Sequence, residues 1–174
     1  VSKWNPKMKP YMHGKKNLIH IIDLRQTLRG IVRAANFVQN VAAAGREVVY
    51  VSTKRQAKAI LRKEAERCGM HWVTERWLGG TLTNHKTIRQ RLKRLEFLEQ
   101  LEQTGKIETY SKKMISSLRR ERRKIHRNLE GIRSMEEIPS VLVAIDINRE
   151  RNAIRETNKL GLVTIGICDT DSDR

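Results

Sequence analysis

Two apolar runs constrain this chain more than any other feature. Residues 47–52 (EVVYVS) and 141–146 (VLVAID) are continuous apolar, largely β-branched stretches without in–out alternation, the pattern of strands buried on both faces. Residues 162–167 (LVTIGI) form a further strand. Doubly buried strands belong to parallel sheets covered by helices, so amphipathic helices should connect them. After the first run, Ser52 or Thr53 stands where a cap is needed, Ala57, Ile60, Leu61 and Ala65 share a face, and Cys68-Gly69 ends the helix. After the second, Asn148 is the candidate cap, Ala153, Ile154, Thr157 and Leu160 the face, and Gly161 the stop. An earlier unit has the same form: residues 17–24 (NLIHIIDL) precede Leu24, Leu28, Ile31, Val32, Ala35, Val38 and Ala42 at helical spacing, with Gly45 as the stop. The chain reads as βαβ units.

These units are interrupted between residue 84 and about residue 134. Ile88, Leu92, Leu95, Leu98 or Glu99, and Leu101 recur at three- and four-residue steps, and beyond TGKIETYSKK so do Met114, Leu118, Ile125, Leu129 and Ile132. Two helices of about 20 residues, each roughly 30 Å long, are expected to pair through this narrow seam as an antiparallel coiled-coil hairpin. The rest of their surface is charged, including RRERRK at 119–124, so the hairpin should project as a basic arm. The expected division is 1–84, a basic arm and the first part of the α/β domain; 85–133, the inserted hairpin; and 134–174, the second part of the α/β domain.

Charge then narrows the function. The 174 residues hold 36 Lys+Arg against 19 Asp+Glu, a net +17. The balance is +5 over residues 1–16, +6 over 17–85, +9 over 86–133 and −3 over 134–174. Three successive basic regions repel one another unless a polyanion neutralises them, and a phosphate backbone is the commonest such partner. An anionic membrane fares worse, because the basic helices have no apolar face left for insertion once the seam is used. No run approaches the roughly 20 apolar residues of a membrane span, and VSKWNPKMKP lacks the apolar stretch of a signal peptide. Cys68 and Cys168 are far apart, which implies neither a disulfide framework nor a zinc cluster and fits a reducing, cytoplasmic compartment.

Catalytic signals are few. His13, His20, His71, His85 and His126 lack metal-ligand spacing, and phosphate-cradling glycine motifs are absent. Asp146, Asp169, Asp171 and Asp173 fall at strand ends, where α/β enzymes often bind Mg²⁺; with STKR at 52–55 they make the best case for a phosphate-ester enzyme. They serve equally as caps. No catalytic residue, metal or cofactor is assigned. STKRQAK at 52–58 opens a helix after a strand and suits a phosphate, with solubility the plain alternative. RWLGGTLTN at 76–84 sets two glycines between large apolar residues and several donors, which fits a contact loop as well as a turn anchored by Trp77 and Leu78. In WNPKMKPYMHGKKN at 4–17, lysines mix with Trp4 and Tyr11 while Pro6 and Pro10 oppose regular structure, which favours an extended RNA-contacting arm over a disordered tail.

WNPKMKPYMHGKKNLIHIIDL, VVYVSTKRQA, CGMHWVTERWLGGTLTNHKTI, the RRERRK helix and IPSVLVAIDINRERNAIRETNKLGLVTIGICDTD together resemble the bacterial and organellar family of small-subunit ribosomal protein two, over essentially the whole chain. The resemblance implies a flavodoxin-like three-layer α/β/α domain, mostly parallel, with an inserted antiparallel coiled-coil helical hairpin. It implies a non-catalytic constituent that binds small-subunit rRNA between head and body, supports assembly and translation, touches neighbouring small-subunit proteins and helps recruit ribosomal protein one. No homo-oligomer and no membrane are expected, and an organellar ribosome is the alternative to a bacterial one. The family begins with a further basic stretch and continues past DTD, so the chain is expected to be a fragment. The candidate rRNA contacts are Lys3, Trp4, Asn5, Lys7, Lys9, Lys15 and Lys16 in the arm; Lys54 and Arg55; Arg76, Thr81, Thr83 and Asn84 in the loop; and Lys86, Arg89, Arg119, Arg120, Arg122, Arg123 and Lys124 on the hairpin. With aromatics at 5%, phosphate contact and RNA shape should outweigh base stacking.

Overall fold

The computed structural model describes residues 4–173. It opens with a 3-10 turn, Pro6–Tyr11, and an antiparallel hairpin of β1 (Met12–Lys16) and β2 (Ile19–Ile22). Pro6 stands at the helical start, where an N–H is not needed, and Asn5 Oδ1 accepts from the Lys7 N–H at 3.0 Å. Asn17 and Leu18 turn the hairpin with φ of 49° and 65°, the backbone form that matches strand twist; Asn adopts it readily and Leu under strain. The segment is therefore more regular than the expected extended arm. Next comes α1 (Leu24–Ala43), whose Asp23 cap accepts from the Arg25 N–H at 2.9 Å.

The main sheet contains β3 (Val48–Val51), β4 (His71–Val73), β5 (Val141–Ile145) and β6 (Val163–Ile167) in the order β4-β3-β5-β6, all parallel. Its connections carry α2 (Arg55–Arg67), α3 (His85–Gln103), α4 (Lys112–Leu129) and α5 (Arg151–Lys159). Alternate residues of each strand face opposite ways. Val49, Val51, Leu142 and Ala144 join the larger core, with Ile88 and Leu92 of α3, Leu129 of α4 and Ala153 of α5. On the other face Leu61 and Ala65 of α2 pack against Trp72, with Tyr50 and Ile145. The result is a mixed α/β fold with helices on both faces of a parallel sheet.

α3 buries Ile88, Leu92, Leu95, Leu98 and Leu101, the residues its spacing singles out. Its first half sits in the main core, and its far half closes over Leu98, Leu101, Ile107 and Leu118, so α4 returns along α3. Met114 departs from the expected seam: it is 46% exposed, and Ile115 packs in its place.

The larger departure lies at the amino-terminal end. Ile19–Ile22 pairs with β1 in a separate ribbon and does not enter the parallel sheet. α1 therefore does not cross back onto that sheet; none of its residues is buried, and Leu24, Leu28, Ile31 and Val32 are each more than half exposed. Its amphipathic spacing gave the correct helix and the wrong inference of burial.

Candidate nucleic-acid interface

Because β3, β4 and β5 run parallel, the loops after them emerge on one edge of the sheet. Between β3 and β5 the strand order reverses, the place where open α/β sheets commonly receive ligands. Here the chain's own side chains bridge that crevice. The Thr53 N–H and Oγ1–H donate to Glu150 Oε1 at 2.6 and 2.7 Å, and Glu150 is 2% exposed. Lys54 Nζ lies 3.2 Å from Asp146, which also faces Arg149 at 3.6 Å. The strand-end acid of the enzyme reading is thus ion-paired to the lysine expected to meet phosphate. Asp173 likewise pairs with Lys7 at 2.8 Å. Among the described residues no group of three or more His, Cys, Asp or Glu is placed to hold a metal.

The 76–84 loop is organised around one carboxylate. Glu156 Oε1 accepts from the Trp77 indole N–H at 3.0 Å and the Gly80 N–H at 2.8 Å; Oε2 accepts from the Leu82 N–H at 3.0 Å and from the Thr83 N–H and Oγ1–H, both at 3.1 Å. Burial alone would raise the Glu156 pKa. The hydrogen bonds from Trp77, Thr83, Gly80 and Leu82 together outweigh it and hold the carboxyl below its ordinary 4.5. Gly80 turns the loop at φ 88°, where a side chain would be strained and would crowd Asn84. Trp77 and Leu82 anchor the loop in the core, while Arg76, Thr83 and Asn84 face solvent. Thr81 is buried, and its Oγ1–H donates to the Leu78 carbonyl at 2.6 Å. A pair between Lys58 and Glu75 at 3.1 Å joins this loop to α2.

On the hairpin the cations divide into two groups. Arg119 and Arg122 pair with Glu102 at 3.2 and 2.9 Å, Arg94 with Glu121 at 3.1 Å and Arg133 with Glu99 at 2.7 Å. Arg89 donates to the Arg133 and Met135 carbonyls. Arg120, Arg123, Lys124 and Arg127 are exposed and make no ion pair among the described residues, and they stand at positions i, i+3, i+4 and i+7, along one face of α4. Lys86 and Arg55 are exposed in the first turns of α3 and α2.

In the amino-terminal ribbon, Lys9, Lys15 and Lys16 are exposed. Asn5 is spent on the turn and on Thr170, whose carbonyl accepts its N–H at 2.8 Å. The Trp4 ring lies 5.2 Å from that of His20, tilted by 33°. Lys3 lies outside the described residues. Sequence reasoning missed Glu102, Glu150 and Glu156, the acids that hold the basic segments. A strongly basic chain whose acids gather in residues 134–174 offered a signal for two of them.

Residues 1–174 match the family described as Ribosomal protein S2. The small ribosomal subunit protein uS2 of Rhodopirellula baltica is 55% identical over 173 residues, covering 99% of this chain and 66% of that protein. The uS2c protein of Rhodomonas salina is 46% identical, over 97% of this chain and 70% of its own length. The small ribosomal subunit protein uS2 of Dichelobacter nodosus is 48% identical, over 98% of this chain and 64% of its own length. The chain thus spans about two thirds of the length of these relatives, slightly under it for the first and third.

Proposed function

The chain belongs to the ribosomal protein S2 family, and from that premise we propose that it is a structural, non-catalytic constituent of the small ribosomal subunit that binds rRNA through the sheet edge and the helical hairpin. The observation that carries the binding role is the stripe of Arg120, Arg123, Lys124 and Arg127, exposed cations with no acidic partner among the described residues, in a chain of net +17. Over the seven residue steps from Arg120 to Arg127 the stripe extends about 10 Å, enough to follow one backbone across successive phosphates. The exposed Arg76, Thr83, Asn84 and Arg55 add a second surface at the sheet edge.

In this reading α3 and α4 act as an antiparallel coiled-coil arm on a flavodoxin-like domain, with 1–84, 85–133 and 134–174 as its parts. Its place is the cytoplasmic or organellar ribosome between head and body, among neighbouring small-subunit proteins. Among the described residues no helix is long and apolar enough to cross a membrane. Recruitment of ribosomal protein one is supported by family resemblance alone.

The test is binding to small-subunit rRNA across a salt series. Log affinity should fall linearly with log salt, by about 0.7 to 0.9 per phosphate neutralised. Replacing Arg120, Arg123 and Lys124 together by Ala should weaken binding and flatten that slope while helicity is retained. A salt-independent affinity, or turnover of nucleotide by the purified chain without ribosomal association, would reject the reading.

A further inference from the structure

We propose that Glu156 is a positioning residue for RNA binding: from its rigid seat on α5 it sets the 76–84 loop and, with Glu150, fixes that loop against the one after β3, so that both reach the RNA as one surface. The proposal rests on the rRNA-binding reading above and assigns a role within it to two acids that touch no RNA themselves.

The seat is rigid because α5 is fastened into the core. Ala153 and Thr157 are fully buried, and the Thr157 Oγ1–H donates to the Ala153 carbonyl at 2.8 Å. Onto this platform converge donors from two separate loops. Glu150 takes both donors of Thr53, one residue before Lys54 and two before Arg55. Glu156 takes five donors, three of them backbone N–H groups between Gly80 and Thr83 that have no strand or helix to satisfy them. A carboxylate supplies lone pairs only and suits this task, whereas an amide would turn an N–H toward at least one cluster of donors. The loop's apolar anchors, Trp77 and Leu82, keep it attached to the core whatever residue 156 is, but they do not determine where its polar tip points. That leaves the carboxylate to determine where Arg76, Thr83 and Asn84 sit relative to Arg55. Electrostatics agrees in sign: both loops belong to residues 17–85, net +6, and both acids to residues 134–174, net −3.

The test compares the 174-residue chain with Glu156→Gln, which has nearly the same shape, in binding to a full-length transcript of small-subunit rRNA across a salt series. Circular dichroism should be unchanged, while amide exchange at Gly80, Leu82 and Thr83 accelerates at least tenfold. Affinity should drop at least fivefold, and the salt slope should fall by about 0.7 to 0.9 for each phosphate that the displaced loop no longer neutralises. Combining Glu156→Gln with Arg76→Ala should cost less than the two separate losses added together, because a misplaced loop no longer presents the arginine to the RNA. Additive losses, or an affinity and slope equal to the unsubstituted chain's despite faster exchange, would overturn the positioning role while leaving RNA binding intact. Failure of the unsubstituted chain to bind would overturn both. If Glu156→Gln does not fold, Trp77→Phe takes its place. It deletes one buried donor to the same carboxylate and should give a smaller change in the same direction; no change would count against the proposal.

Discussion

Gly131 lies so close to β4 that a Cβ there would collide with the carbonyl and ring of Trp72. Backbone and indole cannot move far in a packed core, so Gly131→Ala should destabilise the fold by about 1–3 kcal/mol, seen as a lower urea midpoint at unchanged m-value. Glu156 gives a prediction in pH. Its folded pKa is lowered, so its contribution to stability is present above the unfolded value near 4.5 and is lost as pH falls through the folded value. Acid titration of Tm should therefore show a loss below about pH 4.5 that is smaller in Glu156→Gln. The basic residues of the candidate site were legible in the sequence as a class. Which of them are available was not: Arg119 and Arg120 are neighbours in one RRERRK run, yet the first turns toward Glu102 and the second toward solvent. Only the direction each leaves the helix, relative to a helix distant in sequence, separates them.

The hairpin is held differently along its length. Near the sheet it shares the main core through Ile88, Leu92 and Leu129, but at its far end Leu98, Leu101, Ile107 and Leu118 are buried in a small cluster of their own. Leu118→Ala should cost about 2–5 kcal/mol locally and speed exchange in the distal turns before the sheet is affected. The surface pairs of Glu102 with Arg119 and Arg122 are partly exposed, and replacing both arginines should cost only about 0.2–1 kcal/mol per pair, readable as a small shift in Tm. Elements with a long period were readable beforehand. α3 is an example: a spacing of three and four sustained over five apolar residues leaves one face to bury. β4 is the opposite case. Three residues, His71–Val73, carry no period, and their strand conformation comes from pairing with β3 and from α2 packing on Trp72.

Across the whole molecule, +17 of net charge stands beside an uncovered apolar face on α1, with Leu24, Leu28, Ile31 and Val32 more than half exposed. The isolated 174-residue chain should therefore bind the apolar dye ANS while its sheet is intact. Replacing Leu28 and Val32 by Lys should reduce that fluorescence with little change in the urea midpoint, since both side chains are more than half exposed. By itself the sequence determined the parallel βαβ character, the paired basic helices and the localised excess of positive charge, because periodicity and charge are properties of neighbours along a chain. The tertiary structure decided that α1 stays uncovered, that the amino-terminal strand forms its own ribbon, and that Glu150 and Glu156 fasten the two basic loops. The fastening joins residues 73 to 97 positions apart, and the ribbon, whose own pairs lie within 10 positions, stays separate because its strand does not join the distant parallel sheet; no local pattern encodes either outcome.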